Sequence, residues 1–383
     1  MSSIHFEHFD ALRFLAFLAV YISHIAVFLG FTQNGFEAFR HVWLTHGDLG
    51  VSFFFVLSGF LITRLLIAER EKTNTVSLQH FYVRRILRIW PVYFLVFTVG
   101  FFIIPLLAPA GFPFLVVNNG TSPLWFVFFL ANIKLALSYA PPAILAVLWS
   151  ISVEEQFYLL WPLAVRKLSL KNLGILLIGI IVGACWYRFD MSSNYGAVHY
   201  FTISSFSDIA IGALAALATI TSPRFITWIR KMPAMAIAGI YAITLTLIPL
   251  RTLLTGSIEI SLLPIVFAVL FAFILLEQTY GEHSFWKAGR SRLMSRLGKI
   301  SYGLYAYHMI AFFMVLTTTH YLFHIPFQTN SLAWFIVRSG ISLVVTVGLA
   351  SLSYKIMEEP ILKLKQGFGY SKKELPRADS FSA

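Results

Sequence analysis

The sequence predicts an all-α fold, a polytopic membrane helical bundle with about ten transmembrane helices. Three observations support this prediction. Hydrophobic residues make up 58% of the 383 residues, charged residues only 12%, and the mean hydropathy is +0.77. Many apolar runs reach the roughly 20 residues that a membrane-spanning helix needs. A soluble chain of this length has too little interior to bury so much apolar surface, which excludes an ordinary cytosolic enzyme and a disordered chain.

The cysteine and charge content narrow the class of protein further. Cys185 is the only cysteine, so an intrachain disulfide and a cysteine-based metal cluster are excluded. The formal net charge is +12, an excess that a nucleic-acid-binding protein would gather in basic stripes beside aromatic residues. Here the basic residues fall mainly at the ends of apolar runs, which is typical of membrane topology signals. The predicted partner is therefore the lipid bilayer and not nucleic acid.

Ten apolar runs are long enough to cross a bilayer. The run 124–138 is shorter and contains Asn132 and Lys134, so we predict a re-entrant or interfacial segment there. The first run follows Glu7 and Asp10 instead of a basic segment and has no clear cleavage site, so we expect a retained helix and not a signal peptide. The predicted spans are 11–31, 48–68, 88–108, 145–165, 172–189, 202–220, 233–250, 258–278, 300–319 and 332–357.

The basic residues are distributed unevenly between the two sides of the predicted membrane. With the N-terminus in the cytoplasm, the inside connections hold 21 of the 29 Lys and Arg, whereas the outside connections hold only Arg40 and Arg251. The positive-inside rule therefore places both termini in the cytoplasm. Counting 124–138 as a full span would invert every later connection and remove this asymmetry. We expect one membrane domain over 1–365 and a flexible cytoplasmic tail over 366–383.

The first predicted helix carries two ionisable residues on one face. Arg13 and His24 are 11 residues apart, which is close to three whole turns and about 16 Å along the helix axis. This spacing places a cation near the predicted cytoplasmic edge and an imidazole deep in the membrane. Arginine is suited to phosphate recognition, and histidine to proton transfer near neutral pH. Such a face fits a ligand with an anionic head and a long thin arm.

Three arginines cluster where the third predicted helix leaves the cytoplasm. Arg84 and Arg88 share a helix face at the i,i+4 spacing, with Arg85 beside them. The simpler interpretation is positive-inside anchoring. Together with Arg13, the three are predicted to form a basic mouth that receives phosphate groups.

Other spans carry polar side chains near the middle of the membrane, where ionisable groups are costly and are candidates for function. In the fourth span, Ser150, Glu154 and Tyr158 recur at every fourth residue and share one stripe. In the ninth span, Tyr305 and His308 share a face and are predicted to line the same cavity.

Several other polar residues have a structural explanation beside the functional one. Ser58 and Gly59 lie in the second span, where a small-residue pair indicates close helix packing more readily than substrate binding. Asp208 in the sixth span is predicted to line the outer side. The sequence places the following groups at the membrane interface: Lys134, Arg188, Arg338, Glu358 and Glu359.

Five segments, taken together, resemble the acyltransferase family 3 of integral membrane acyltransferases. That family includes O-antigen, exopolysaccharide, Nod-factor and macrolide acyltransferases. The segments occur in the family's order from about residue 10 to residue 362, and the Arg-x10-His spacing together with SVEEQFYLLWP makes the resemblance specific. Ser52 departs from the pattern, because many members carry Asp there, so no carboxylate function is carried over to it. The segments are RFLAFLAVYISH, GVSFFFVLSGFLI, FYVRRILRIWPVY, WSISVEEQFYLLWP and SYGLYAYH.

The resemblance implies ten helices in a bacterial cytoplasmic (inner) membrane and a cytoplasmic acyl-CoA donor, acetyl-CoA by the family's default. It implies that His24 is the family's essential histidine, that Arg13 is its paired arginine, and that Glu154 is the acidic position of the fourth-helix motif. Some members carry an additional secreted Ser-Gly-Asn-His hydrolase-like domain. None is visible in this sequence, so we expect the chain to finish the transfer itself or to rely on a partner. The residues that match the family's basic motif are Arg84, Arg85 and Arg88.

We therefore predict a membrane-bound O-acyltransferase that moves an acyl group from acyl-CoA to a hydroxyl of a glycan or lipid-linked sugar. His24 is predicted to act as general base or as nucleophile, with Glu154 orienting it or the acceptor. No permanently bound cofactor is expected. No metal is expected either, because the intramembrane histidines and Glu154 show no ligand spacing. The predicted substrate-binding residues are Ser58, Asp208, Tyr305 and His308.

Two other classes of function remain open from the sequence. A proton-coupled glycan transporter or flippase would use Glu154, His24 and His308 as a proton relay. Against it, no internal repeat is visible and the basic mouth lies on one side only. A sensor or assembly protein with an inert polar core would lose only stability when these residues are changed.

Overall fold

The computed structural model describes residues 7–28, 39–107, 121–138, 144–327 and 331–364, and these contain helices and no strand. The predicted tail over 366–383 lies outside the described residues. Three π-helical turns cover Arg40–Leu44, Val99–Ile103 and Tyr354–Glu358, and two 3-10 turns cover Arg251–Leu253 and Ala288–Arg290. The α-helices are α1 Glu7–Phe28, α2 Gly47–Thr73, α3 Leu78–Thr98, α4 Ile104–Leu107, α5 Leu124–Val127, α6 Ala131–Ser138, α7 Leu148–Lys167, α8 Leu170–Asp190, α9 Tyr195–Tyr200, α10 Thr202–Thr221, α11 Pro223–Arg230, α12 Ala234–Leu250, α13 Ser257–Tyr280, α14 Arg292–Lys299, α15 Ser301–Phe323, α16 Leu332–Ser353 and α17 Glu359–Leu364.

Short polar residues set the starts of many helices. A side-chain oxygen at the N-cap accepts a backbone N–H of the first turn, which would otherwise lack a partner. Two helices end where the chain enters the left-handed region, α2 at Asn74 (φ 57°) and α15 at His324 (φ 54°). The N-cap residues that form this bond are Ser77, Ser169, Asn194, Ser222, Ser291 and Ser331.

The predicted helical membrane bundle is confirmed, but its count of ten spans is not. Among the described residues, eight helices are long and apolar enough to cross a membrane. A ninth is added if α14 and α15, bent by 76° at their junction, form one span. The predicted fourth span is present as α7. It is not among the eight, because Glu154, Glu155 and Gln156 in its middle lower its mean hydropathy.

The segment predicted to be re-entrant or interfacial consists of two short helices, α5 and α6. The break between them includes Phe129, whose φ of 54° is in the left-handed region. The start of the third predicted span differs from the structure: α3 begins at Leu78, ten residues before the predicted start at 88. The three neighbouring arginines therefore lie on the first turns of α3 and not before the helix.

Helix α2 lies in the middle of the bundle and packs against α1, α7, α10 and α13. Its closest crossing is with α10, where two glycines meet. A Cβ at Gly59 would overlap the carbonyl oxygen of Ile209, and a Cβ at Gly212 would overlap that of Val56. The absence of side chains at these two positions therefore allows backbone-to-backbone contact, as the close-packing interpretation of Gly59 predicted.

The outer surface of the bundle is apolar, as a lipid-facing surface requires. Leu159, Ile178 and Val344 are exposed on it. Two arginines that the sequence assigned to the membrane interface are buried inside the bundle: Arg188 is 1% exposed and Arg338 is 0% exposed. Both guanidinium groups are buried because backbone carbonyl oxygens of neighbouring segments bind them.

Candidate functional site

A first cavity of about 110 Å³ lies between α1, α2, α3, α7 and α15. It brings together six of the ten residues that the sequence singled out as site residues. Its lining mixes cations, hydroxyls, one carboxylate and aromatic rings, which is typical of a ligand site and not of a lipid-facing groove. The predicted site residues in its lining are Arg13, Ser58, Arg85, Arg88, Glu154 and Tyr305.

One end of the first cavity is basic. The Arg13 guanidinium donates to the Asp10 carboxylate at 2.8 Å, which holds it at the start of α1. The guanidinium of Arg85 lies over the Tyr158 ring, 5.1 Å from its centroid, and so reaches into the cavity. Arg84 is not part of this cation group, because its side chain turns away and donates to the buried Glu69 carboxylate at 3.3 Å.

Three consecutive residues of α7 project in three directions, as the 100° step of a helix requires. Glu154 lines the first cavity and lies next to the hydroxyls of Ser58 and Tyr158. Glu155 accepts a hydrogen bond from the Trp90 indole at 3.1 Å. Gln156 points to the broken segment, where its amide donates to the Phe129 carbonyl oxygen at 2.8 Å. Glu154, Glu155 and Gln156 thus contact three different neighbours, and among them only Glu154 lines the first cavity.

Paired hydroxyl groups line the middle and the far end of the first cavity. Ser58 and Tyr158 share a short hydrogen bond across α2 and α7. Ser150 and Tyr305 share another at 2.7 Å across α7 and α15. The stripe of Ser150, Glu154 and Tyr158 predicted on α7 is confirmed, since all three line this cavity.

Beyond Tyr305, two imidazole rings form a hydrogen-bonded pair. His24 Nδ1 lies 2.7 Å from His308 Nε2, and His308 Nδ1 lies 2.6 Å from the Tyr305 carbonyl oxygen. The two rings are nearly parallel, with an interplanar angle of 4°. His308 is 1% exposed, whereas His24 is half-buried. The residue bonded to His24 is therefore His308. Glu154, which the sequence predicted to orient either His24 or the acceptor, is not the partner of His24, so its role towards the acceptor stays a prediction.

The Tyr305 carbonyl determines the direction of both hydrogen bonds. A carbonyl oxygen only accepts, so the His308 Nδ1 must carry a proton. In the neutral ring its Nε2 then accepts, and the proton shared with His24 belongs to the His24 Nδ1. In neutral His24 the Nε2 is consequently unprotonated, which is the form that a general base or a nucleophile needs.

His24 does not line the first cavity. Tyr305 is the link between the two, because its ring lines the cavity while its backbone carbonyl binds His308. The sequence placed Arg13 and His24 on one helix face, along which a single long ligand was predicted to bind. The structure places Arg13 in the first cavity and His24 behind the Tyr305–His308 pair, so a continuous passage between them stays a prediction.

A second cavity of about 290 Å³ lies towards the opposite end of α2. Asp208, which the sequence predicted to line the outer side of the membrane, lines this cavity and is not part of the first cavity. Sequence reasoning missed its two arginines, Arg188 and Arg251, because basic residues near helix ends resemble topology signals.

No group of three or more metal-ligating side chains comes together within the part of the chain that the structure describes. His24 and His308 are joined by a direct hydrogen bond instead.

Comparison with known proteins identifies a family. The family model described as "Acyltransferase domain" matches residues 6–351, nearly the whole chain. The chain is 29% identical over 375 residues to the peptidoglycan O-acetyltransferase OatA of Listeria monocytogenes, covering 92% of this chain and 55% of that protein. It is 27% identical over 387 residues to the putative peptidoglycan O-acetyltransferase YrhL of Bacillus subtilis, covering 94% of this chain and 55% of that protein.

A putative O-acetyltransferase of Staphylococcus aureus is 25% identical over 389 residues, covering 92% of this chain and 57% of that protein. The chain thus spans little more than half the length of these curated relatives. No solved structure matches it. The relatives are named as O-acetyltransferases, and they lend no support to the transporter alternative.

Proposed function

The chain belongs to the acyltransferase family, and from that premise we propose that it transfers an acyl group, acetyl by default, from acyl-CoA to a hydroxyl of a glycan at the membrane. The observation that carries this proposal is the chain of hydrogen bonds from Tyr305 through His308 to His24, at the end of a cavity whose other end is basic. It combines an anion-binding end with an unprotonated imidazole nitrogen.

The donor is assigned to the first cavity. The phosphates of acyl-CoA bind at Arg13, Arg85 and Arg88, because guanidinium groups match the planar geometry of phosphate oxygens. The thin pantetheine arm extends along the cavity past Glu154. That carboxylate is assigned to accept hydrogen bonds from the amide N–H groups of the arm, together with the neighbouring hydroxyls. Arg84 is left out of the donor site, because it pairs with Glu69.

His24 is assigned to the chemical step, in one of two ways. As general base, its Nε2 takes the proton of the acceptor hydroxyl while the oxygen attacks the thioester carbonyl. The C–S bond breaks, and the thiolate of CoA recovers that proton. As nucleophile, the same nitrogen attacks the thioester carbonyl, the C–S bond breaks and CoA leaves as the thiolate. The acceptor oxygen then displaces the imidazole nitrogen from the acyl carbon, and the proton of its hydroxyl passes to the thiolate. In both routes a positive charge develops on His24, and His308 stabilises it through the Nδ1–H bond.

The acceptor is proposed to be a glycan because the relatives named above are peptidoglycan O-acetyltransferases. Since the chain spans only 55% of those relatives, completing the transfer on the far side of a bacterial cytoplasmic membrane is proposed either for the chain alone or for the chain with a separate partner.

The test is a transfer assay with the purified full chain in lipid nanodiscs. Acetyl-CoA is supplied with glycan strands prepared from peptidoglycan, and mass spectrometry detects the added acetyl group. His24→Ala is expected to abolish transfer while insertion and thermal unfolding stay unchanged. His320→Gln is the matched control, because His320 lies on the same helix as His308 but contacts the Ile325 carbonyl oxygen and the Phe327 ring, away from both cavities. Full transfer by His24→Ala would refute the assignment.

A further inference from the structure

The second cavity has an unpaired donor on a fully buried arginine. Arg188 of α8 donates from Nε to the Ser261 carbonyl oxygen at 3.1 Å and from Nη1 to the Ser204 carbonyl oxygen at 2.7 Å. Its Nη2 has no hydrogen-bond partner among the described residues, although the side chain is buried and lines the cavity. One arm of the guanidinium is thus fixed by the bundle, while the other is available to a ligand. A buried N–H group without a hydrogen-bond acceptor costs free energy, so its presence indicates that a ligand supplies the acceptor.

A second arginine in the same lining also has an arm without a partner. Arg251 forms an ion pair with Asp48 through Nη2 at 2.5 Å, but its Nη1 has no hydrogen-bond partner within the described ranges. The Ser52 hydroxyl, on the cavity side of α2, faces the Asp208 carboxylate of the same lining. Two guanidinium arms from two separate elements therefore meet at one cavity without a hydrogen-bond acceptor among the described residues. Packing alone does not account for such convergence.

The rest of the lining selects among ligands. Two arginines stand against three carboxylates, Asp48, Asp208 and Glu259, so the cavity has no surplus of positive charge for a polyanion. Carboxylates in this arrangement accept hydrogen bonds from hydroxyl groups. The rings of Trp149, His199 and Tyr195 supply an aromatic wall, in which His199 is tilted by 45° against Trp149 and stacks on Tyr195. Carbonyl recognition, hydroxyl recognition and an aromatic wall together fit a sugar that carries an amide.

The second cavity also lies at the right level for His24. Gly47 at the start of α2 packs against Ser23, so His24 is level with the end of α2 that faces this cavity. Val51 and Phe55 line both cavities and form the partition between them. A ligand here would approach the acyl group from the side opposite to the arginines of the first cavity.

We propose that the second cavity binds the acceptor as an N-acylated amino sugar, an inference that rests on the proposed function. The free N–H groups of Arg188 and Arg251 bind the carbonyl oxygen of the N-acyl group. The carboxylates accept the sugar hydroxyls, and the C–H face of the ring lies on Trp149.

The experiment measures binding and transfer separately, with the full chain in lipid nanodiscs. Binding of chitotetraose, a β-1,4-linked tetramer of N-acetylglucosamine, is compared with that of cellotetraose, which has the same linkage and a hydroxyl in place of each N-acetyl group. Without any acyl donor, chitotetraose is expected to bind at least tenfold more tightly.

Two variants test the assignment of residues. Arg251→Lys keeps the ion pair with Asp48 but removes the second arm, and Ser52→Ala removes the hydroxyl. Each is expected to reduce the preference for chitotetraose at least fivefold. Arg230→Lys is the matched control, because Arg230 also pairs with a carboxylate, Glu282, but lies outside the cavity.

The outcomes separate this inference from the proposed function. Equal binding of the two tetramers, or an unchanged preference in both variants, overturns the acceptor site. If chitotetraose binds as expected but receives no acyl group from acetyl-CoA, the proposed donor chemistry fails while the sugar site stands. Loss of transfer in Arg251→Lys with unchanged binding of acetyl-CoA supports both.

Discussion

His308 is the residue whose replacement tests the mechanism most sharply, because it touches His24 but is not assigned to the reacting atoms. His308→Ala removes the acceptor for the His24 Nδ1–H, so the ring is free to adopt the other tautomer. His308→Gln keeps an acceptor, since the amide oxygen of glutamine can occupy the place of Nε2. A positioning role predicts that these two variants differ.

The size of the effect follows from the hydrogen bond. In the reaction His24 becomes positively charged, and a hydrogen bond to a charged group contributes about 1.5–3 kcal/mol. Since ~1.36 kcal/mol corresponds to tenfold in rate, His308→Ala is expected to lower kcat by about 10- to 150-fold. The KM for acyl-CoA is expected to stay within about twofold, because His308 does not line the first cavity. His308→Gln is expected to recover about a tenth or more of the lost rate.

The assay follows release of CoA thiol with a thiol-reactive dye, in the presence of glycan acceptor, over a range of acetyl-CoA concentrations. Thermal unfolding of each variant checks that the bundle is intact. A wild-type kcat in His308→Ala would show that the imidazole pair has no role in catalysis. Equal rates for the alanine and glutamine variants would refute the tautomer argument even if both are slow.

Other changes test the donor site, the partition and the bundle. Arg85→Ala is expected to raise the KM for acyl-CoA about tenfold with little change in kcat. Arg84→Ala should leave that KM unchanged, because Arg84 pairs with Glu69 and does not line the first cavity. Equal KM values in the two variants would contradict the donor site. Phe55→Ala removes a side chain that separates the two cavities, so the rate of acyl-CoA hydrolysis without acceptor should rise. An unchanged rate of hydrolysis would argue against a partition at Phe55. Gly59→Ala is expected to cost at least the ~1–3 kcal/mol typical of overpacking and to lower the Tm, whereas Gly239→Ala, which meets nothing within 4 Å, should be neutral.

Helical periodicity predicts which residues share a face of one helix, and the structure agrees with the sequence where only that knowledge was needed. The α7 stripe and the basic mouth needed only the 100° step and the positions of the arginines, and their members line one cavity except for Arg84, which pairs with Glu69. Periodicity does not say which neighbouring helix a face meets. The pairing of His24 with His308 depends on how α1 and α15 pack, so Glu154 was an equally reasonable partner from the sequence.

From the sequence alone, an arginine near a helix end could not be assigned either to membrane topology or to a buried contact inside the bundle. Arg188, Arg251 and Arg338 each lie near the end of a long apolar run, where a topology signal is the usual explanation. Arg188 and Arg338 are buried because carbonyl oxygens from non-helical segments and neighbouring helix ends surround them, and those contacts exist only in the folded bundle. Arg84 shows the same limit, since its partner Glu69 is on another helix.

The proposed chemistry of His24 depends most on which of its ring nitrogens carries the proton. Nitrogen-15 NMR of histidine-labelled protein in nanodiscs, with the His24 signals assigned from their loss in His24→Gln, reads this directly. At neutral pH and without acyl donor, we expect His24 to be protonated at Nδ1 and unprotonated at Nε2. In His308→Ala we expect a mixture of the two His24 tautomers. Signals showing a protonated Nε2 on His24 in the unaltered protein would contradict both the hydrogen-bond directions and the chemistry built on them.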